Sequence, residues 1–331
     1  MVVRGLDERA RRRLVSAVKR KARRRSSTPR IGRHIVLMAV LFVLASYALR
    51  GAEGKKPAPP AVLDAEVLSK ELAQIVEGQP GTYGIYLKVL ETGESLTIND
   101  MEFPAASCYK LPLALMVYED AARGRLKLDS KIAFQRGDWE AGTGVLQTTK
   151  AGTQFAIRHL VRLSVVESDN IAANMLLRTV GKAALAEFYR KCGARVAFSG
   201  DNLSSPKDMG VFAERLVKFA QEQGDLGREL LSCFLESKWK DRLALGLPDD
   251  VELANKAGTL PGVVNDVGVV IGDKMTYVLA VMSKEVGATE NGQRTIKLAS
   301  LAVYRHLSQR ASKGGLTATA IGKQILESMD Y

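Results

Sequence analysis

A serine and a lysine three residues apart, Ser107 and Lys110, are the first residues whose types and spacing suggest chemistry. The apolar run 111–118 that follows predicts a helix, so both side chains fall on one face of its first turn. The lysine amine can then reach the serine hydroxyl and activate it without a histidine. The unpaired N–H groups and positive dipole end of a helix N-terminus also suit a developing oxyanion. Ser-x-x-Lys is common by chance, so its value depends on the rest of the chain.

A second short motif, Ser168-Asp169-Asn170, interrupts a helical stretch of the sequence. In a tight turn, Ser168 and Asn170 can both face a cleft while Asp169 turns inward and accepts hydrogen bonds from backbone N–H groups. The alternative is an ordinary N-cap, because serine or aspartate just before the helix that includes Ile171 is a favourable cap. The motif alone leaves both interpretations open.

A third motif, Lys256-Ala257-Gly258-Thr259, lies in a predicted strand near the end of the chain. A lysine on a strand at a sheet edge can project its charge into a cleft. Gly258 keeps the strand surface bare, so a substrate backbone can approach it closely. The alternative is a surface lysine followed by a glycine at a bulge.

The elements that must position these motifs are strands at both ends of the domain and helices between them. Alternation and turn residues predict strands over 83–90, 95–98, 252–256, 263–271 and 275–283. Helical periodicity predicts helices over 62–77, 155–166, 171–180, 183–191, 209–221 and 294–307. The sequence therefore predicts an α+β fold of the α/β sandwich type. A five-stranded antiparallel sheet is flanked by N- and C-terminal helices, an all-helical lobe stands beside it, and the active site occupies the cleft between them.

Together and in this order, the three motifs resemble the signature of class A β-lactamases and penicillin-binding proteins. The resemblance covers about residues 65–310 and extends to the context of the motifs. Phe103-Pro104 precedes the serine, and the run 167–174 is similar to the central turn of the family. Ser205-Pro206 with Met209 looks like the start of the helix that follows the family's Ω-loop.

The resemblance implies a mechanism of acyl transfer to serine. Ser107 attacks an amide or ester carbonyl, and Lys110 takes its proton, for which it must be neutral. Lys256 and the enclosed site can supply the necessary fall in the pKa of Lys110. Ser168 relays a proton to the leaving nitrogen. The implied assignments are catalytic Ser107, Lys110, Ser168 and Lys256, an oxyanion hole from the N–H groups of Ser107 and Thr259, and substrate binding by Asn170, Lys256, Gly258 and Thr259.

Further implications concern partners. The expected substrate is a β-lactam or a peptidoglycan-like amide or ester, and neither a cofactor nor a metal is expected. We also expect a monomer without a nucleic-acid partner. Two alternatives remain: a D,D-peptidase or esterase of the cell envelope, and a non-catalytic penicillin-binding-like envelope protein.

The sequence departs from the family pattern at the residue between the lysine and the glycine of the third motif. The family usually has a hydroxyl residue there, whereas this chain has Ala257. One hydrogen bond to the substrate carboxylate is lost, worth roughly 1–2 kcal/mol. Thr259 is the expected replacement.

A second departure concerns the Ω-loop, in which efficient class A enzymes carry a glutamate that activates the deacylating water. Between Cys192 and Pro206 this loop looks truncated and contains no glutamate. Asp201, inside the loop, and Glu140 and Glu167, elsewhere in sequence, are the available carboxylates, and none matches the motif position. We therefore expect Ser107 to be acylated readily and released slowly.

The net charge of +12 belongs to the N-terminal arm. Residues 1–33 hold 13 Lys and Arg against two acidic residues, whereas the remainder carries 35 basic and 34 acidic side chains. The apolar segment 34–50 predicts a transmembrane anchor, or alternatively a cleaved signal, with the N-terminus cytoplasmic and the rest exported. A Pro-rich linker over 51–61, a hydrolase domain over 62–311 and a tail over 312–331 complete the expected organisation.

The cysteines and histidines exclude other site classes. Cys108, Cys192 and Cys233 show no paired metal-ligand spacing, and their odd number argues against a complete disulfide framework. Three thiols are the expected state, with a Cys192–Cys233 bridge as the alternative. A Ser-His-Asp triad would have to use His159 or His306, and neither lies in a recognisable motif.

Overall fold

A computed structural model describes residues 62–196, 198, 200–273, 275–313 and 321–322. The predicted basic arm, apolar segment and linker lie outside the described residues, as does most of the predicted tail. None of the helices within these ranges has the combination of length and apolar character that crossing a bilayer requires. The domain boundaries proposed above therefore stay predictions.

Nine strands are present in the described part of the chain. They are β1 (Thr82–Val89), β2 (Ser95–Ile98), β3 (Phe103–Pro104), β4 (Lys131–Ala133), β5 (Gln154–Ala156), β6 (Leu203–Ser204), β7 (Glu252–Leu260), β8 (Val263–Ile271) and β9 (Thr276–Lys284). Five of them form one antiparallel sheet in the order β2-β1-β9-β8-β7. The predicted five-stranded antiparallel sheet is confirmed, and β7 is one of its edges.

Eight α-helices accompany these strands in the same ranges. They are α1 (Ala65–Val76), α2 (Lys110–Ala122), α3 (Ile157–Val166), α4 (Asn170–Val180), α5 (Lys182–Lys191), α6 (Pro206–Glu222), α7 (Gly224–Leu235) and α8 (Thr289–Lys313). Three short 3-10 turns cover Ala106–Tyr109, Arg136–Asp138 and Leu243–Gly246. The predicted α+β fold with flanking helices and a helical lobe is confirmed.

Two hydrophobic cores hold these layers together. One lies between α1, α8 and one face of the sheet, and Leu68, Leu72 and Ile296 are among its members. The other lies between the opposite face and the helical lobe. Helix α2 runs through this second core and is buried at every position from Lys110 to Glu119. A helix that is apolar almost all round belongs inside a protein, so its first turn is held rigidly by the surrounding helices.

Two elements extend at least four residues beyond a predicted end. Strand β7 continues to Leu260, four residues past the predicted end, because Ala257 to Leu260 stay paired with β8. The closing helix runs from Thr289 to Lys313, whereas periodicity indicated 294–307. Beyond it, Ile321 packs against the lobe core, so part of the predicted tail contributes to packing.

Candidate active site

Ser107 lies in the 3-10 turn Ala106–Tyr109, and helix α2 begins at Lys110. Residues i and i+3 of a 3-10 turn nearly eclipse, which brings the two onto one face as the spacing predicts. Ala106 has φ 49°, in the left-handed region that a residue with a side chain rarely adopts. Asn202 fastens this strained turn, since its Nδ2 donates to Ala106 O at 3.0 Å and its own carbonyl accepts from Ala105 N at 2.7 Å.

The Lys110 side chain is fully buried. Its Nζ donates to the Ser168 carbonyl oxygen at 2.6 Å and to Asn170 Oδ1 at 2.7 Å, and it lies 3.4 Å from Ser168 Oγ. Burial, reinforced by the charge of Lys256, lowers the pKa of Lys110 to about 6, because both disfavour a second ammonium ion. In this position the amine contacts the Ser168 turn and does not donate to the Ser107 hydroxyl. Because its pKa is about 6, it is mostly neutral at pH 7.

The turn Ser168-Asp169-Asn170 combines the two interpretations that the sequence left open. Asp169 is the N-cap of α4, with Oδ1 accepting from Ala172 N at 2.8 Å. Its Oδ2 accepts from Val145 N at 2.6 Å and from Leu146 N. Ser168 itself has φ 56°, which reverses the chain and allows the residues on either side of the aspartate to face the cavity. The turn is thus both a helix cap and a wall of the candidate site.

Lys256 approaches the same serine from the sheet edge. Its buried Nζ donates to Ser168 Oγ at 2.9 Å and to the Ala257 carbonyl at 2.9 Å. Burial lowers the pKa of Lys256 to about 8, so it stays mostly protonated near neutrality. Ser168 Oγ therefore lies between two lysine amines, one mostly neutral and one mostly charged. That arrangement can move a proton across the cavity.

Gly258 brings strand β7 directly against the nucleophile turn. A Cβ at this position would lie 2.9 Å from Ala105 O and 3.0 Å from Ser107 N. Such contacts are closer than side chains tolerate, so only glycine allows this approach. The next residue, Thr259, lines the cavity as well.

Arg242 is a residue of this site that the sequence motifs did not indicate. Its side chain is buried, and Nη2 donates to Thr259 Oγ1 at 2.6 Å while Nη1 donates to Asn265 O at 2.9 Å. The guanidinium favours the ionised form of buried Asp266, whose pKa burial nevertheless raises to about 6. Arg242 lies ten residues before strand β7, in a stretch without regular periodicity, and it belongs to no recognisable motif. Only the fold brings it beside Thr259.

These side chains surround one cavity of about 300 Å³. Lys110 and Lys256 lie behind its wall, bonded to Ser168. The residues that line it are Ala106, Ser107, Tyr109, Glu140, Ala141, Gly142, Thr143, Ser168, Asn170, Asn202, Trp239, Arg242, Ala257, Thr259 and Leu260. The fold therefore brings all three sequence motifs together, while the roles assigned to them stay predictions.

The three carboxylates considered as water-activating bases lie in different places. Glu140 lines the cavity. Glu167 forms an ion pair with Lys238 at 2.6 Å and is absent from the cavity lining. Asp201 is exposed and does not line the cavity either. In the described part of the loop before Pro206, Asn202 lines the cavity, and Phe198 packs against Tyr109 with the two ring centroids 6.1 Å apart.

The three cysteines are free thiols, so the alternative of a Cys192–Cys233 bridge is wrong. Cys108 follows the nucleophile but is buried, and its Sγ donates to Lys256 O at 3.3 Å. Burial raises the pKa of the Cys108 thiol to about 12, which keeps it protonated and unreactive.

Comparisons with known proteins agree with this geometry. The family described as "Beta-lactamase enzyme family" matches residues 67–307. A beta-lactamase of Streptomyces albus G is 30% identical over 235 residues, 63% of this chain and 73% of that protein. The extended-spectrum beta-lactamase PER-1 of Pseudomonas aeruginosa is 28% identical over 252 residues, 66% of this chain and 80% of that protein.

Solved structures are similar as well. A point mutant of PBP-A, captured as an acyl-enzyme complex with penicillin G, superposes with a TM-score of 0.69 at 26% identity. The match covers 76% of this chain and 99% of that one. An ancestral class A beta-lactamase superposes with a TM-score of 0.64 at 25% identity, covering 72% of this chain and 99% of that one.

Proposed function

The chain belongs to the beta-lactamase enzyme family and is a serine hydrolase of that type, and on this premise we propose that Ser107 is the nucleophile that a β-lactam acylates. The observation that carries the proposal is the pair of buried lysines that converge on Ser168 Oγ beside Ser107. Two amines of different protonation around one hydroxyl serve proton transfer, and structural packing alone gives no reason to bury them.

In the first step, Ser107 Oγ attacks the substrate carbonyl while Lys110 accepts its proton. A pKa of about 6 supports this role, because the amine is available as a base at neutral pH. The lysine must turn from the Ser168 carbonyl toward Ser107, and such catalytic contacts often tighten only when substrate is bound. The N–H groups of Ser107 and Thr259 hold the oxyanion, and each such donor typically contributes about 3–4 kcal/mol.

In the second step, Ser168 passes a proton to the leaving nitrogen. The proton that Lys110 accepted moves to Ser168 Oγ as the Ser168 hydroxyl proton is donated, so the C–N bond breaks and the acyl group stays on Ser107. Lys256, 2.9 Å from Ser168 Oγ, stabilises the negative charge that develops on that oxygen.

The substrate carboxylate binds beside Arg242 and Thr259. Their mutual bond at 2.6 Å places a guanidinium and a hydroxyl side by side at the sheet edge. This pair supplies the hydrogen bonding that the family's usual hydroxyl residue would give where this chain has Ala257. Asn170 holds the substrate amide from the opposite wall, where its side chain lines the cavity.

Release of the acyl group is slow. Asp201 in the shortened loop and Glu167 do not line the cavity, and Glu140, which does, does not match the motif position of the family's water-activating glutamate. The test is intact-protein mass spectrometry after exposure to penicillin G. We expect a persistent adduct of one penicillin, absent in Ser107→Ala and retained in Ser130→Ala, which removes an exposed serine. Rapid turnover without an adduct would contradict slow release, and no reaction would contradict the nucleophile.

A D,D-peptidase of the cell envelope is the second candidate, favoured by the likeness to PBP-A. Both candidates acylate Ser107 and differ in the acyl donor. Parallel rates with a chromogenic β-lactam, an acyl-D-Ala-D-Ala peptide and a simple ester separate them. Faster turnover of the peptide than of the β-lactam would assign the peptidase activity.

We also propose that residues 34–50 anchor the protein in the membrane with the hydrolase domain outside the cytoplasm. The proposal rests on the apolar segment and the thirteen basic residues before it. Protease added to intact spheroplasts is expected to remove the hydrolase domain and leave the basic arm protected. Recovery of the whole protein in the soluble cytosol would contradict it.

A further inference from the structure

The cavity around Ser107 has two oppositely charged side chains in its described lining, Arg242 and Glu140. They come from different walls. Arg242 is bonded to Thr259 on the sheet edge, whereas Glu140 belongs to the loop that packs on α4 of the helical lobe. Ser107 and Ser168 line the same cavity. A substrate that fills the cavity can therefore meet a positive group at one wall and a negative group at the other.

Side-chain amides hold the Glu140 loop in place. Asn174 Nδ2 donates to Glu140 Oε2 at 2.7 Å, and Asn170 Nδ2 donates to Ala141 O at 2.9 Å. Gly142 permits this packing, since a Cβ there would lie 2.9 Å from Asn170 Nδ2. The carboxylate is thus fixed by the same helix that carries Asn170, although its residue is exposed to solvent.

Within the described residues, Glu140 forms no ion pair, although its charge acts on Lys110 and raises the pKa of that amine against the effect of burial. The hydrogen bond to Glu140 comes from a neutral amide, and none of the ion pairs there includes it. Glu167 differs, because Lys238 neutralises it. An anchored carboxylate that forms no ion pair and lines a binding cavity is available to pair with a charge on the ligand.

We propose that Glu140 binds an ammonium group on the acyl side of the substrate. This inference rests on the proposed function, which places the substrate carboxylate at Arg242 and Thr259 on the leaving-group side of the scissile amide. Glu140, on the opposite wall, then faces the acyl group. The preferred substrate class is a β-lactam or peptide with a carboxylate on one side of the scissile bond and an amine on the other.

Penicillin G and ampicillin test this inference because they differ by one ammonium group on the acyl side chain. The measurement is the second-order rate of adduct formation on Ser107, followed by rapid quenching and mass spectrometry. We expect the wild-type protein to prefer ampicillin by about two- to fivefold, the range for an exposed ion pair. The preference should shrink as sodium chloride is raised, because salt screens such a pair.

Glu140→Gln is the informative variant, since glutamine can still accept the Asn174 hydrogen bond and only the charge is removed. The ratio of the ampicillin rate to the penicillin G rate should fall to about one, the value expected without an exposed ion pair. Glu167→Gln is the matched control, because that carboxylate is paired with Lys238 outside the cavity lining, and it should keep the wild-type ratio.

Other outcomes overturn the inference. An unchanged ratio in Glu140→Gln would show that the carboxylate does not contact the acyl side chain. Equal slowing of deacylation with both penicillins, at an unchanged acylation ratio, would assign Glu140 to water activation instead. If the wild-type protein formed no adduct with either compound, the proposed function itself would fail. That result differs from an unchanged ratio, which would contradict only the role of Glu140.

Discussion

Ser168 Oγ has two buried amines as neighbours, and their difference in protonation follows from the packing. Loss of water lowers the pKa of Lys110, the charge of Lys256 lowers it further, and the charges of Asp169 and Glu140 offset this only in part. Lys256 is equally enclosed, but the charge of the nearby Asp266 partly favours its protonated form. One lysine is therefore mostly a base and the other mostly a cation at pH 7, although the residue types are identical.

This difference predicts a bell-shaped pH profile for acylation. The rate should rise with pH through about 6 as Lys110 loses its proton, and fall above about 8 as Lys256 loses its charge. The measurement is the rate of adduct formation with penicillin G from pH 4.5 to 10. Lys256→Arg should remove the alkaline fall, because arginine keeps its charge throughout. A rate independent of pH over this range would contradict the assignment of Lys110 as the base.

At the residue scale, the sequence predicted the members of the three motifs and the need for a lowered lysine pKa. Short motifs suffice for Ser107, Lys110 and Ser168, because local turns fix each side chain. Arg242 was not predicted to belong to the site, and the role of Glu140 was left undecided. Tertiary packing, and not a local motif, brings each of them to the cavity. The loops that carry these two residues have no periodicity, so the sequence does not predict which way their side chains point.

Glycines decide how closely the elements around the site approach one another. Gly258 allows strand β7 to reach the Ser107 turn. Gly144 does the same for the loop beside Asp169, where φ is 122° and a Cβ would lie 2.6 Å from Asp169 Cα. Both contacts involve backbone that cannot move without shifting the neighbouring motif.

Gly144→Ala is therefore expected to disturb the Ser168-Asp169-Asn170 turn. Gly152→Ala is the matched control, because Gly152 has φ 90° but nothing within 4 Å of an added Cβ. The control should cost about 1–2 kcal/mol of stability from backbone strain alone and keep the acylation rate. Gly144→Ala should cost at least about 3 kcal/mol and slow acylation more than tenfold. Urea unfolding and adduct kinetics measure both, and equal behaviour of the two variants would contradict the steric argument.

At the element scale, periodicity and turn residues predicted the layers and all five strands of the main sheet. The bounds of β7 and α8 were too short, for physical reasons. Gly258 weakens the strand pattern, but pairing with β8 carries the strand to Leu260. The first turn of α8 holds Glu290, Asn291 and Gly292, polar or small residues that periodicity does not mark, and its packing against the sheet extends it.

At the scale of the whole molecule, the described site and both hydrophobic cores belong to one compact unit. This unit begins at Pro59, and within it helix α8 closes one face of the sheet while α2 fills the lobe. Nothing in the described site comes from outside this unit, since its members run from Ala106 to Leu260. The folding of the hydrolase and its reaction with β-lactams are therefore expected to be independent of the basic arm.

A protein that starts at Pro59 tests this independence. We expect its thermal midpoint to agree with that of the detergent-solubilised full chain within about 2 °C, well below the 4–8 °C that a loss of 1 kcal/mol causes in a small domain. Its rate of adduct formation should agree within twofold, because the two cores and the cavity are intact. Ile321→Asp in the same fragment is the control that should lower stability, since Ile321 packs on the lobe core. A fragment that aggregates, or that folds but no longer reacts with penicillin G, would show that residues before Pro59 complete the domain or its site.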